Sequence, residues 1–337
     1  MRHLFLFFLI PFALSAQNST PHKSPEEIQQ ELDSAEAQFS RAQKMFNPWY
    51  AGPLVTPSAS MMPPGSANIQ PYLFIDGNYA AFNKQRQSVA IPHNLYQLRV
   101  IAPMQIGVTD STDVVVAPSA IASWQNHHGG GGFGDLGLTY GFKIFGETLY
   151  IPKFKFTIAE TFPTGKYKNL RSTGLDASGG GSYQTQFGFA AGKVIWWTYP
   201  NPMNTRIFIG YNIATTVDVT GFNAYGGGHG TKGRVRPGNT LTADFGYEVS
   251  FSQCWVAAID VVYVAQNATK FHGIPGTAAD GTPAVTGTAY SDNLSLAPAI
   301  EYNFSDVFAI LWGVQFSVYG RNSANFVNGQ FSVEYMW

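Results

Sequence analysis

The chain has 337 residues, with 20 Lys+Arg against 21 Asp+Glu and a formal net charge of −1. Charged residues make up 12% and aromatics 15%, where ordinary soluble domains carry roughly 25% charged residues. Near-neutrality excludes the clustered Lys/Arg of a nucleic-acid binder. Abundant Phe and Tyr exclude a disordered chain, and the single Cys254 excludes an internal disulfide or a Cys-based zinc or redox motif.

Arg2 and His3 precede an apolar run from Leu4 to Leu14, followed by Ser15 and Ala16. A basic segment, a short apolar stretch and small residues make a secretory signal peptide, with cleavage expected after Ala16. The run is shorter than the roughly 20 apolar residues of a membrane-spanning helix, and no later run approaches that length. An exported chain of this kind is either a soluble all-β protein or a transmembrane β-barrel, the one non-helical fold that satisfies every backbone group in lipid.

Residues 24–46 carry the strong helix signal. Ser24 suits the N-cap and Pro25 the first helical position, with Glu26 and Glu27 in the first turn where the helix dipole favours anions. Ile28, Leu32, Ala35, Phe39, Ala42 and Phe46 then recur at spacings of four and three. Such a seam serves a helix packed on its own barrel or one that joins further copies of the chain into a homo-oligomer. Asn47 to Ala67, rich in Pro, Ser and Met, reads as a linker. The expected organisation is a signal peptide over 1–16, a periplasmic helix and linker over 17–66, and a barrel over 67–337.

From Ile69 onward the period changes to two. Phe331, Val333, Tyr335 and Trp337 alternate with Gln330, Ser332 and Glu334, so one strand face is apolar and the other polar. Strands are expected near 69–82, 95–107, 114–125, 133–145, 153–162, 183–197, 206–218, 241–251, 255–266, 293–304, 307–319 and 326–337. Short connections (108–113, 146–152, 198–205, 252–254, 305–306) alternate with long or glycine-rich ones (126–132, 163–182, 219–240, 267–292). Outer-membrane barrels sort their loops in this way, with short turns in the periplasm. The fold class is therefore all-β: a transmembrane antiparallel up-and-down β-barrel of about 12 strands, with a short N-terminal α-helix, in the outer membrane of a Gram-negative bacterium.

Lipid-facing sets include Leu136, Leu138, Tyr140, Phe142 and Ile144; Leu241, Ala243, Phe245, Tyr247 and Val249; and Phe308, Ile310, Trp312, Val314, Phe316 and Val318. The interleaved positions hold the candidate lumen-lining charges Arg99, Asp135, Lys143, Lys153, Lys155, Arg206, Asp244, Glu248, Asp260 and Glu301. A Lys or Arg on the lipid face at midplane costs roughly 2–4 kcal/mol, which drives this sorting. Glu160 and Lys193 break it, sharing faces with Phe156 and Phe189 respectively, near strand ends where a charge can reach the interface. Pro103, Pro118 and Pro298 fall inside expected strands and remove ladder donors. Trp197, Tyr199, Phe251, Trp255, Phe304 and Trp337 gather at the periplasmic strand ends, and Trp124, Phe162, Tyr183 and Tyr290 at the other rim, as two aromatic girdles.

The stretch Gly132-Phe133-Gly134-Asp135-Leu136-Gly137-Leu138, then Lys153-Phe154-Lys155-Phe156 and Phe162-Pro163-Thr164-Gly165, resembles the outer-membrane family named for a MetA pathway of phenol degradation. Leu296-Ala297-Pro298-Ala299-Ile300-Glu301-Tyr302 and Gly320-Arg321-Asn322 are similar to its later strands, so the resemblance covers about residues 69–337. It implies an outer-membrane barrel that passes small aromatic or apolar compounds. The terminal Phe331, Val333, Tyr335 and Trp337 also resemble the assembly signal by which the barrel-assembly machinery recognises its clients.

Catalytic and cofactor chemistry find little support. A Ser–His hydrolase needs the two side chains within hydrogen-bond reach, yet His93, His127, His128, His229 and His272 all fall in or beside expected loops. His127, His128, His229 and His272 could converge into a metal site, but they sit among glycines without acidic partners, which favours solvated loops. The glycine runs at 129–132 and 226–230 lack the following G-K-[ST] of a phosphate loop. The expected function is passive passage of a small solute, without a catalytic step or cofactor and with outer-membrane lipids as surroundings. A closed barrel making surface contacts and an outer-membrane lipid hydrolase stand as alternatives. A helix plugging the lumen from below fits either non-enzymatic reading.

Overall fold

A computed structural model describes residues 23–45, 49–52, 54–196 and 201–337. The expected signal peptide, Phe46 of the helix seam, and Trp197 and Tyr199 of the periplasmic girdle lie outside the described residues. The chain divides into two units, residues 1–47 and residues 48–337.

The first unit contains α1 (Pro25–Met45). Its start is a reciprocal cap: Glu27 N donates to Ser24 Oγ at 3.2 Å, and Ser24 N donates to Glu27 Oε2 at 2.8 Å. Ile28 and Leu32 of the apolar seam are exposed.

The second unit is a closed antiparallel barrel of 12 strands. They are β1 (Ala67–Ile69 and Tyr72–Phe82), β2 (Ser88–Ile101 and Met104–Thr109), β3 (Thr112–Ala117 and Ser119–Gln125) and β4 (His128–Phe133 and Leu136–Phe145). Next come β5 (Lys153–Phe162), β6 (Gln184–Ile195), β7 (Met203–Ala214) and β8 (Thr240–Ser250). The last four are β9 (Trp255–Gln266), β10 (Ser291–Asn303), β11 (Phe308–Arg321) and β12 (Ser323–Met336). Each pairs with its chain neighbours, and β12 closes the ring on β1 through Asn68↔Met336 and Ile75↔Gly329. Closure removes the sheet edge that lipid would leave unsatisfied.

The alternation has a physical result in the wall. Asp244, Glu248, Leu311, Gln330 and Ser332 are buried, while Phe245, Trp312, Val314, Phe331 and Tyr335 are exposed. The exposed apolar residues recur around the barrel, from Leu98 and Val100 to Phe187, Ile207 and Ile259. Such a belt is stable only against lipid. Aromatic rings cluster where the strands end: Trp255 packs edge-on against Tyr302 at 4.7 Å and Trp312 at 6.1 Å, and Phe162 against Tyr183 at 6.1 Å.

Four adjacent strands are broken side by side. Pro71, Pro103 and Pro118 lack the N–H that a ladder needs, and the breaks are stitched by single bonds: Gln70 N to Pro103 O, Ala102 N to Pro118 O, and Gly134 N to Ser119 O. Leu136↔Phe162 is the outermost rung between β4 and β5. Beyond it the 128–133 piece of β4 pairs with β3 alone, and the loop 163–183 takes the place of a neighbouring strand.

Several local expectations are corrected. Residues 128–133 are strand, reached through a two-residue hairpin in which Asn126 and His127 both have positive φ (46° and 65°). β2 starts at Ser88, seven residues before its expected position, across a turn tied by Asn83 and Gln87. The long loops also hold a second sheet of Val217–Thr220, Lys232–Arg236 and Lys270–Ile274. It extends the β7–β8–β9 ladders without a shift of register, since Asn212↔Thr240 is followed by Val217↔Val235.

Candidate functional site: the lumen and its plug

The Pro- and Ser-rich segment read as a linker packs inside the barrel, with Leu54, Thr56, Ala59 and Met62 buried. It is held by wall carboxylates. Glu301 on β10 accepts from Ala51 N at 2.7 Å and Gly52 N at 3.3 Å. Asp260 on β9 accepts from Val55 N at 3.1 Å, Thr56 N at 3.2 Å and Thr56 Oγ1 at 2.5 Å. Asn303 Nδ2 donates to Trp49 O at 3.1 Å and Tyr50 OH to Pro202 O at 3.0 Å. From the opposite wall, Lys153 Nζ donates to Ser60 Oγ at 3.0 Å and Lys155 Nζ to Ser60 O at 3.3 Å. An irregular segment inside a barrel leaves its backbone donors without ladder partners, and the carboxylates take that place.

Small residues make room for it. Leu54 packs on Ala258, Ala299 and Leu311, and a Cβ on Gly313 would stand 2.5 Å from its Cδ1. A Cβ on Gly107 would stand 2.0 Å from Pro63 O. Ala59 packs on Ala190 and Phe208. A cavity of about 540 Å³ remains between plug and wall, lined among others by Tyr50, Thr56, Gln105, Lys155, Arg206 and Glu334.

The ten sequence-predicted charges fall into distinct settings. Arg206 donates to Glu248 at 3.0 and 3.4 Å, and Asn204 Nδ2 adds a third bond to that carboxylate at 2.6 Å. Lys155 pairs with Asp113 at 2.7 Å, and Lys153 lies 3.4 Å from Glu147. Arg99 makes a two-bond pair with Asp76 at 2.7 and 3.1 Å. Glu301 and Asp260 hold the plug. Asp244 is buried, and its Oδ1 has no hydrogen-bond partner among the described residues. Lys143 is exposed at the end of β4. Asp135 accepts from Gly165 N at 2.9 Å and Gly180 N at 2.8 Å, so it fastens the 163–183 loop. Phe331, Tyr335 and Trp337 of the terminal strand are exposed.

Sequence reasoning missed Asp76, Asp113, Glu147 and Asn204 as partners, and the plug itself. Asp113 fell in an expected turn, one residue before an expected strand. Of the two residues that broke the sorting, Glu160 accepts from Thr185 Oγ1 at 2.7 Å, and Lys193 reaches Glu147 at 3.4 Å. His229 packs edge-on against Phe222 at 5.0 Å. Among the described residues no three His, Cys, Asp or Glu side chains gather into a metal-holding group.

In sequence, no family model and no curated protein matches the chain. In structure, the chain is similar to the COG4313 outer membrane channel from Pseudomonas putida F1, with a TM-score of 0.66 and 13% identity, over 84% of this chain and 100% of that one. The fold is that of an outer-membrane β-barrel. Lower similarity relates the barrel to the translocator domain of the autotransporter NalP from Neisseria meningitidis, at TM-score 0.44 and 11% identity over 92% of this chain and 97% of that one. The transport unit of AIDA-I from Escherichia coli also scores 0.44, at 10% identity over 90% and 97%. That likeness shows the fold, while the Gly134-Asp135 and Thr164-Gly165 motifs carry the family resemblance in sequence. In this outer-membrane barrel those motifs meet: Thr164 Oγ1 donates to Gly134 O at 2.8 Å, beside the Asp135–Gly165 bond.

Proposed function

We propose that the barrel is a passive outer-membrane channel for small solutes, without catalytic chemistry, whose pathway is stopped by residues 49–63 until they move. The observation that carries this reading is the nature of the lumen contents. A barrel filled for stability alone would close its lumen with side chains from its own wall. Here the wall presents carboxylates, amides and ammonium groups to a separate segment that touches them through hydrogen bonds and small separate apolar contacts at Leu54 and Ala59. Such contacts can be exchanged for water or solute. Arg99, Lys153, Lys155, Arg206, Asp244, Glu248, Asp260 and Glu301 then line the route, and Phe331, Val333, Tyr335 and Trp337 serve barrel assembly.

Liposome swelling tests the reading. Leu54→Asp puts an unpaired charge against Ala258, Ala299 and Leu311 and expels the plug. Liposomes carrying this variant should swell in small neutral solutes at least tenfold faster than those carrying the unaltered chain. Equal, negligible swelling of both folded barrels would favour a closed structural barrel.

A further inference from the structure

The charges on the inner face of the barrel are unequally matched. Its cations each have a carboxylate: Arg99 with Asp76, Lys155 with Asp113, Arg206 with Glu248, and Lys153 with Glu147. Lys143 stands apart, exposed at the strand end. Four inward carboxylates, on Asp244, Asp260, Glu301 and Glu334, form no ion pair among the described residues. Glu334 accepts from Asn68 Nδ2 at 2.9 Å. Asp244 is 5% exposed and its Oδ1 has no partner among the described residues. Glu301, 1% exposed, and Asp260, 0% exposed, are served by plug N–H groups, with Asn303 as a further donor to Glu301.

The plug meets these two carboxylates in a fixed order. Donors from Ala51 and Gly52 reach Glu301, the isobutyl group of Leu54 fills the pocket of Ala258, Ala299, Leu311 and Gly313, and donors from Val55 and Thr56 reach Asp260. When the plug leaves, two buried carboxylates on either side of a leucine-sized pocket lose most of their donors. A buried carboxylate without a donor or counter-charge is costly. Water can hydrate the vacated carboxylates, but a solute that also fills the leucine-sized pocket must bring hydrogen-bond donors on both sides of a branched aliphatic group, and positive charge offsets the surplus of four carboxylates.

We propose that the vacated plug seat is a binding site for small aliphatic ammonium compounds that also carry an amide or second donor, with Glu301 and Asp260 as the recognising groups. The inference rests on the channel reading for the solute's route, and it makes the plug a stand-in for the solute. Carboxylate solutes of the same shape are excluded by the same two residues.

The test uses leucinamide and, as its matched anion, N-acetyl-leucinate, titrated into the detergent-folded full chain carrying Leu54→Ala and Thr56→Val. Those changes weaken the plug and leave the wall as it is. Leucinamide should bind at least tenfold more tightly than N-acetyl-leucinate, and adding Glu301→Gln and Asp260→Asn should bring the two within twofold. Equal affinities, or a preference that survives the double neutralisation, would overturn the proposal. Should the weakened chain not fold, the unaltered chain serves: leucinamide should speed protease cleavage within residues 49–63 at least threefold, and an effect equal to that of N-acetyl-leucinate would overturn it. Bilayer currents separate the two readings. Selective binding without any current would remove the channel and keep the site, whereas current without selectivity would keep the channel and remove the site.

Discussion

Asp135 and Gly165 are joined by a 2.9 Å hydrogen bond from the Gly165 amide, and the second carboxylate oxygen of Asp135 takes the Gly180 amide at 2.8 Å. One side chain at the break in β4 thus closes a loop of 163–183 onto the wall where the β4–β5 ladder has stopped. The contact is close: a Cβ on Gly179 would stand 2.2 Å from Asp135 Oδ1. Each bond to a charged acceptor contributes about 1.5–3 kcal/mol. Asp135→Ala should release the loop and raise trypsin cleavage at Lys166, Lys168 and Arg171 by about thirtyfold, equivalent to ~2 kcal/mol of local opening. Unchanged cleavage would show that the loop is held elsewhere.

The same loop has a built-in acid limit. Burial works to raise the Asp176 carboxyl, but the Lys166 ammonium and the Arg171 amide together hold it below its ordinary value of 3.8. A carboxyl whose folded pKa is depressed stabilises the loop fully above the unfolded value and loses that contribution as pH falls through the folded one. Loop protection, measured by hydrogen exchange at residues 166–176, should therefore be flat above about pH 5 and fall below about pH 4. Asp176→Asn should weaken the pH dependence and leave a less protected loop at neutral pH.

Lys155 and Asp113 form a pair whose side chains are 5% and 0% exposed, at 2.7 Å. Gly141 makes room for it, since a Cβ there would meet Asp113 Oδ1 at 2.0 Å and Lys155 Cε at 2.2 Å. Removing one partner leaves an uncompensated buried charge. Lys155→Met should cost about 3–5 kcal/mol in urea unfolding of the detergent-folded barrel. The double change Lys155→Met and Asp113→Leu should recover most of that loss, and failure to recover any would refute the pairing argument.

Gly107 bears on the plug directly. A methyl group there would stand 2.0 Å from Pro63 O and 2.6 Å from Met62 O. Gly107→Ala should push the segment off the wall without touching any charge. Protease cleavage within 49–63 should rise at least tenfold while the barrel keeps its resistance to heat in detergent.

How far the sequence disclosed this arrangement follows from what each residue faces. β8, β11 and β12 separate lipid from a polar interior on opposite faces, so their period of two is strict and the barrel was legible from it. The 128–133 piece of β4 carries four glycines and has no such alternation, so it read as a loop; its glycines serve close approach, with Gly130 2.7 Å at Cβ from Asp176 N. The plug has no period at all. Its apolar residues, Leu54, Ala59 and Met62, fill separate niches, and only their presence in a Pro-rich stretch hinted at burial. The lumen charges stood out by type and parity, but which carboxylate meets which cation depends on strand stagger. That is why Asp76 and Asp113 were not named as partners of Arg99 and Lys155.

Whether residues 49–63 stop a pore is read in single-channel current in planar bilayers, comparing the unaltered chain with one carrying Glu301→Ala and Asp260→Ala, which removes both carboxylate anchors of the plug. The unaltered chain should open rarely, and the variant should show discrete, reproducible steps at least ten times more often. A folded variant whose plug is accessible to protease yet passes no current would contradict the plugged pore.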